Sequence, residues 1–336
     1  MEGKSAVFAC AIVQVLLWAH EGAALVANKE ALKRVHQINK EGPRIALVTV
    51  YPPEEAAFIE TKVLIPHPKH PWVDLSGRRF RIGTIYGKRV VYVRCGVGMW
   101  NAGVTTQMLA DLFNIAGVVH FGIAGNANNS LSIGDVTVPK YVAHLGIWEW
   151  LKVNGQTEAN NVGNLMVGDY NVPQNNRTNL LGKISYVPEE FYSETGKPNV
   201  PEDLLFAETS SDWLKFASTI EGLKLESCLN KTVCLPRPAN MVFGQRASTA
   251  NIFVDNSAYR DFLVRHFHVS SVDEESAAVV MTCLSNKVKV IVFRGLSDLA
   301  GSQQGENAIH KFGPLAASNA VIATLEFIKE FPFSEL

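Results

Sequence analysis

Cysteine is sparse in this chain, with five residues in 336, and their spacing matches no zinc-binding pattern. An excess of either charge is missing as well: 31 Lys and Arg face 32 Asp and Glu, for a formal net charge of −1. No Lys/Arg block, heptad run, internal repeat or low-complexity tract occurs. Together these absences remove any general electrostatic attraction to nucleic acid or an anionic membrane and leave a small-molecule protein as the expectation. Long apolar runs are confined to one place, Ala6 to Trp18, which is too short to span a bilayer comfortably. Lys4 precedes that run and Gly22, Ala23, Ala24 and Ala27 follow it. Residues 1–27 therefore read as a secretory signal peptide, with residues 28–43 as an N-terminal extension. The mature chain is expected in the secretory pathway, extracellular or vacuolar, with no membrane association.

Cys10 would leave with the signal. Cys228 and Cys234 stand six residues apart in a loop-like segment, ESCLNKTVCLPRP, and are expected to pair in an oxidising compartment; Cys95 and Cys283 sit in apolar periodic segments and read as buried thiols. Asn128, Asn176 and Asn230 each open an N-x-S/T sequon, so a glycoprotein is expected.

From residue 44 onward, apolar strand patterns alternate with helical ones. Strands are expected at 45–50, 80–85, 89–94, 117–123, 135–143, 251–254, 269–272 and 288–293, and helices at 29–39, 54–63, 101–113, 257–266, 276–285 and 314–331. Residues 66–79 read as a loop. Between about 149 and 238 the pattern loosens, with one helix expected near 201–220, and this stretch reads as an insertion within a single domain spanning 44–336. Regular alternation on both sides of it predicts an α/β fold with a mixed or parallel sheet.

Gly117 to Pro139 organises the pattern. A buried strand there runs into Gly122-Ile123-Ala124-Gly125, which sets bare backbone at the carboxyl edge of the sheet, where open α/β sheets take their ligands. Gly96-Val97-Gly98 before the helix at 101 has the look of a phosphate cradle. It is not a dinucleotide fingerprint, because Asn101 takes the third glycine position. Acidic residues stand at three other strand ends: Glu54-Glu55, Asp273-Glu274-Glu275, and Asp298 beside Arg294, Gly295 and Ser297. Converging on one pocket, they would supply acid–base chemistry.

Six segments in order, VTVYPPEEAAF (48–58), CGVGMWNAG (95–103), HFGIAGNANNSLSIGDVTV (120–138), ANIFVDN (250–256), SVDEESAA (271–278) and VFRGLSDLAG (292–301), resemble the nucleoside phosphorylase superfamily. The resemblance is to its 5′-methylthioadenosine/S-adenosylhomocysteine nucleosidase branch and above all to bark storage protein-like members. It implies a three-layer sandwich around a mixed central sheet and cleavage of a purine–ribose bond through an oxocarbenium-like transition state. By that resemblance Asp298, supported by Ser297, is the general acid at the base. Glu55, or else Glu54, orients or deprotonates the attacking water, and Glu275 holds the ribose hydroxyls. Phe253 stacks on the base and Gly125 meets it with backbone. No metal and no cofactor are implied, phosphate being a possible co-substrate, and a homo-oligomer is implied. Three positions depart from the family pattern. Glu274 replaces a Met, and His120 and Ile123 stand where uridine-type phosphorylases have Arg and a hydroxyl residue. Without that fixed guanidinium a phosphate site is weakened, unless Arg94 or Arg246 substitutes. Hydrolysis is therefore expected over phosphorolysis, and the alternative to an enzyme is a storage protein that keeps the fold with lost or residual catalysis.

Overall fold

The computed structural model describes residues 29–152, 154–166, 181–220 and 222–332. The expected signal segment 1–27, with Cys10, and the sequon at Asn176 lie outside these residues. Helix α1 occupies 29–39. The chain then enters the main sheet at β1 (Arg44–Thr49), all six residues of which are buried. Helix α2 (Pro52–Glu60) follows, and β2 (Ile65–Pro66), β3 (Trp72–Leu75), β4 (Arg78–Ile85) and β5 (Lys88–Arg94) form an antiparallel wing attached to β1 through a parallel β1–β5 pair. The segment 66–79, expected to be all loop, thus contributes β3.

Helix α3 (Met99–Leu112) returns the chain to the long β6 (Ile115–Asn126), parallel to β1. Two short strands, β7 (Val136–Val138) and β8 (Tyr141–His144), come next. In the inserted stretch, β9 (Trp148–Leu151), β10 (Gly163–Met166) and β11 (Lys183–Tyr186) make a small sheet, and β12 (Glu189–Phe191) pairs with β13 (Glu202–Leu204). The helix expected over 201–220 is not there in that form. Residues 206–208 instead become β14 (Phe206–Glu208), an edge strand antiparallel to β8, and only α4 (Ser211–Ala217) is helical. Pairing along an open sheet edge satisfies those backbone groups, and local helical periodicity gives way to it. The Cys228–Cys234 disulfide forms, and Cys95 and Cys283 are free and buried.

The chain closes with β15 (Met241–Phe243), β16 (Arg246–Thr249), α5 (Ser257–Phe267), β17 (Ser271–Asp273), α6 (Ser276–Ser285), β18 (Val290–Asp298) and α7 (Ile309–Glu330). The expected strand at 251–254 is a loop, in which the Asn251 side chain accepts a hydrogen bond from Met99 N–H rather than joining a ladder. Among the described residues the main sheet has 13 strands and is mixed: β18 lies parallel on β6, and β17 meets the end of β6 antiparallel.

Successive side chains of a strand point to opposite faces, and β1 shows what that does here. Ile45 and Leu47 join Phe58, Trp213 and Phe327 from α2, α4 and α7, while Ala46 and Val48 join Ile38, Leu109 and Val280 from α1, α3 and α6. Two apolar layers sandwich one sheet, the three-layer α/β arrangement. Trp213 is a keystone of the first layer, fully buried between Phe327 and Phe331 and over the bare backbone of Gly117. Trp213→Ala is expected to cost about 3–5 kcal/mol, read as a lowered urea midpoint with an unchanged slope.

Candidate active site

β6 and β18 run side by side in register, pairing His120 with Val292 and Gly122 with Arg294. A register shift between Leu296 and Asp298 sets Asp298 opposite Gly125, at the carboxyl edge where the expected site lies. The Asp298 carboxyl is buried. It accepts hydrogen bonds from Ser297 O–H (2.8 Å) and Ala300 N–H (2.9 Å). Burial pushes its pKa up; these donors oppose the shift without cancelling it, and the nearby Asp255 charge adds to the rise.

Behind the cavity wall stands Arg294, fully buried in the middle of β18 after the apolar run Val290 to Phe293. Its guanidinium lies 3.2 Å from Asp273 and from Glu275 and 4.0 Å from Glu54. It also donates to Ser276 Oγ (3.0 Å), Ile123 O (3.1 Å) and His120 Nε2 (2.6 Å). Gly122 makes this approach possible, since a Cβ there would collide with the Glu54 carboxylate and stand 2.6 Å from Arg294 Nη1.

Helix α2 delivers Glu54. Pro52 opens the helix and Glu54, in its first turn, folds back on the entry strand. Its Oε2 accepts from Thr49 O–H (2.8 Å), Val50 N–H (2.8 Å) and Tyr51 N–H (3.1 Å), and its Oε1 from Ile123 N–H (2.8 Å). Glu55, aligned with the water-handling position, is turned elsewhere: consecutive helical residues are rotated by about 100°, and Glu55 lies 3.2 Å from Arg94 and 3.9 Å from Arg81, outside the cavity. Glu54 is the one that faces it. The same contact occupies Arg94, Arg246 lies over the Phe206 ring, and neither lines the cavity.

Asp273 and Glu275 open α6. Asp273 Oδ1 accepts from Thr249 O–H (2.6 Å) and, just ahead of the helix, from the N–H groups of Glu275 (3.1 Å) and Ser276 (3.0 Å). Burial alone would raise the Asp273 pKa, but Arg294 and these donors outweigh it and hold the carboxyl low. Glu275 behaves in the opposite way. Burial pushes it up to about 7, although Arg294 pulls against the rise. Its Oε1 accepts from Gly98 N–H (3.0 Å), so the cradle-like turn at the start of α3 is already filled by the chain's own Glu275 carboxyl. Met99 N–H is likewise taken, by Asn251.

These groups share one cavity of about 150 Å³, walled by Glu54, Asp273, Glu274, Glu275, Ser297 and Asp298 and floored by Gly125. A Cβ on Gly125 would press Val272 (3.0 Å) and come within 3.5 Å of Asp298 Oδ2. Phe253, placed on the loop between β16 and α5, is half-exposed at the cavity mouth rather than packed in a strand. All the named site residues except Glu55 therefore converge.

Residues 44–329 match the family model described as the phosphorylase superfamily. The chain belongs to that superfamily. Among curated members it is 34% identical to bark storage protein A of Populus deltoides over 295 residues, covering 87% of this chain and 90% of that one. It is 24% identical to the 5′-methylthioadenosine/S-adenosylhomocysteine nucleosidase of Psychromonas ingrahamii over 256 residues, 76% of this chain and 87% of that one. Two Helicobacter pylori structures share the superfamily fold. They are a 5′-methylthioadenosine/S-adenosylhomocysteine nucleosidase with butyl-thio-DADMe-Immucillin-A (TM-score 0.58, 18% identity, 86% of this chain and 99% of that) and a futalosine hydrolase (0.58, 17%, 86% and 98%).

Sequence reasoning set Arg294 aside as a neighbour of Asp298. The overlooked signal is a lone Arg inside the buried run VIVFRGLSD, since a buried guanidinium requires carboxylate partners. A pH effect follows from Glu275. The folded protein keeps this proton up to about pH 7, whereas an ordinary Glu releases it near 4.5, so between these values folding binds a proton and stability falls as pH rises. Thermal melts of wild type and Glu275→Gln should nearly coincide below pH 4.5, and the variant should become the more stable of the two as pH rises past 7.

Proposed function

We propose that this superfamily member hydrolyses the N-glycosidic bond of a purine-type nucleoside. The observation that carries the proposal is the meeting of Asp298, Glu54 and Glu275 around one cavity, each held by a different strand end. Asp298, its pKa raised by burial, is protonated when substrate binds and passes its proton to purine N7 as the bond from the base to C1′ breaks. Ser297 O–H, 2.8 Å from Oδ1, keeps the carboxyl aligned. Glu54 Oε1 takes one N–H donor, from Ile123, and so retains acceptor capacity to orient the attacking water and take its proton. Glu275 accepts the ribose hydroxyls in its ionised form, a charge-assisted contact. Phe253 stacks on the base at the mouth, and Gly125 lets the purine approach the backbone.

Water is favoured over phosphate by charge. The walls carry Glu54, Asp273, Glu274 and Glu275 beside the protonated Asp298, no Lys or Arg lines the cavity among the described residues, and the guanidinium of Arg294 is already engaged by carboxylates. Such a cavity stabilises a cationic, oxocarbenium-like transition state and repels a phosphate dianion. No metal or cofactor enters the scheme. The proposal extends to a secretory route for the chain through residues 1–27, with a glycan at the exposed Asn230 and at Asn128, and to a homo-oligomer in which a second copy covers the exposed Val97, Trp100 and Phe253 beside the mouth.

A second reading, a vegetative or bark storage protein with lost or residual catalysis, draws on the 34% identity to bark storage protein A and on the charged Glu274 in the wall. Incubating the purified protein with adenosine, methylthioadenosine, inosine and a cytokinin riboside separates the two. Base release is expected with at least one of them and at the same rate with or without phosphate; release only with phosphate would refute the water mechanism. Asp298→Asn should lower kcat by at least ~10²-fold. If no substrate is cleaved and the Asn variant matches wild type, the storage reading stands.

A further inference from the structure

His120 is fully buried and belongs to neither the acid nor the water-handling pair. Its two ring nitrogens have different partners. Nδ1 lies 3.0 Å from Val48 O, and Nε2 lies 2.6 Å from Arg294 Nη2. A carbonyl oxygen can only accept, so Nδ1 must carry the proton. A guanidinium N–H can only donate, so Nε2 must present its lone pair. The two neighbours therefore dictate one neutral tautomer. A protonated ring would set two donors against each other at 2.6 Å. Burial and the Arg294 charge hold the pKa down at about 3, against the opposing pull of Asp273 and the Val48 hydrogen bond.

We infer that His120 is a positioning residue for the hydrolysis proposed above: as a neutral acceptor, it aims the Arg294 guanidinium at Glu54 and Glu275. The geometry supports this for three reasons. The register of β6 against β18 pairs His120 with Val292 and Gly122 with Arg294, so the imidazole and the guanidinium project from the same face of adjacent strands. Nη2, the nitrogen that His120 holds, also donates to Glu275 (3.2 Å), while Nη1, at 4.0 Å from Glu54, donates to Ile123 O. Fixing Nη2 from behind thus fixes the guanidinium plane and with it the distance to both carboxylates. A cation at position 120 would compete with Arg294 for those carboxylates; a neutral acceptor leaves them to it. The Ile123 carbonyl and amide complete the frame, taking Arg294 Nη1–H and giving an N–H to Glu54.

The inference rests on the hydrolytic reading, but its test has a readout independent of turnover. In His120→Gln the amide oxygen takes the place of Nε2 as acceptor; in His120→Leu no acceptor remains. With base release as the assay, Leu should lower kcat by ~10-fold or more with KM nearly unchanged, and Gln should restore most of the loss. In ¹⁵N-edited imidazole spectra, wild type should show one histidine, absent from both variants, that stays neutral with bare Nε2 down to about pH 4. The Arg294 side-chain N–H signals should exchange slowly in wild type and in Gln and broaden in Leu. If Leu does not fold, His120→Asn, whose amide is too short to reach Arg294, replaces it. Equal kcat in Leu and wild type, or a titration near the ordinary 6.5, would overturn the assignment while leaving the hydrolase reading intact. Absence of base release from wild type would sink the hydrolase reading, and the imidazole and guanidinium spectra would then decide whether His120 holds Arg294.

Discussion

A guanidinium buried inside a sheet is the constraint on which the site depends. Arg294 has no route to water, and an unpaired charge in that position would not be tolerated. Asp273 from β17, Glu275 from the start of α6 and Glu54 from α2 surround it, so that these three elements and β18 are tied to one point. Removing the Asp273 carboxylate, the partner held low, would leave the buried guanidinium undercompensated, at about 3–5 kcal/mol. The same arrangement separates the carboxylates by proton affinity. Asp273, with Arg294 beside it and three donors that include two backbone N–H groups, stays low; Glu275, with one backbone N–H donor, is lifted by burial; Asp298 is also lifted by burial. Carboxylates of different proton affinity in one small cavity are what acid–base cleavage of a glycosidic bond needs.

Close approach of this kind is possible because glycine stands at the contact points. Gly122 leaves room for Glu54 and Arg294 to meet over β6, and Gly125 does so for the cavity floor. The stretch Gly117 to Pro139 is therefore more than a turn at a strand end. It forms the floor of the cavity and, through His120, the back support of the arginine. The start of α3, which has the outward look of a phosphate cradle, is filled from within by Glu275. In this member of the phosphorylase superfamily, an intramolecular carboxylate sits where an external anion would be sought.

Periodicity and turn residues revealed most of the fold, because β1, β6 and β18 are buried on both faces and read as continuous apolar runs. They failed where pairing decides the outcome. Phe206–Glu208 is a strand because β8 offers an edge, and 251–254 is a loop because Asn251 is drawn to α3. Of the site, Asp298, Ser297, Gly125, Glu275 and Phe253 were visible as residues at strand ends or in motifs. Glu54 and Glu55 were indistinguishable as neighbours in sequence, and the helical rotation between them separates the cavity-facing carboxylate from the one that pairs with Arg94.

The sequence by itself determined the superfamily, the alternation of strands and helices and which strand ends carry acid, and it made the Cys228–Cys234 disulfide plausible, which the structure then formed. Those are local properties, written in the identity and spacing of nearby residues. Only the tertiary structure decided which carboxylates face one another, which of them burial lifts, and that His120 is a neutral acceptor rather than a cation. The reason is that proton affinity and charge pairing depend on distances between residues as far apart as Val48, His120 and Arg294, and those distances exist only once β1, β6 and β18 lie side by side.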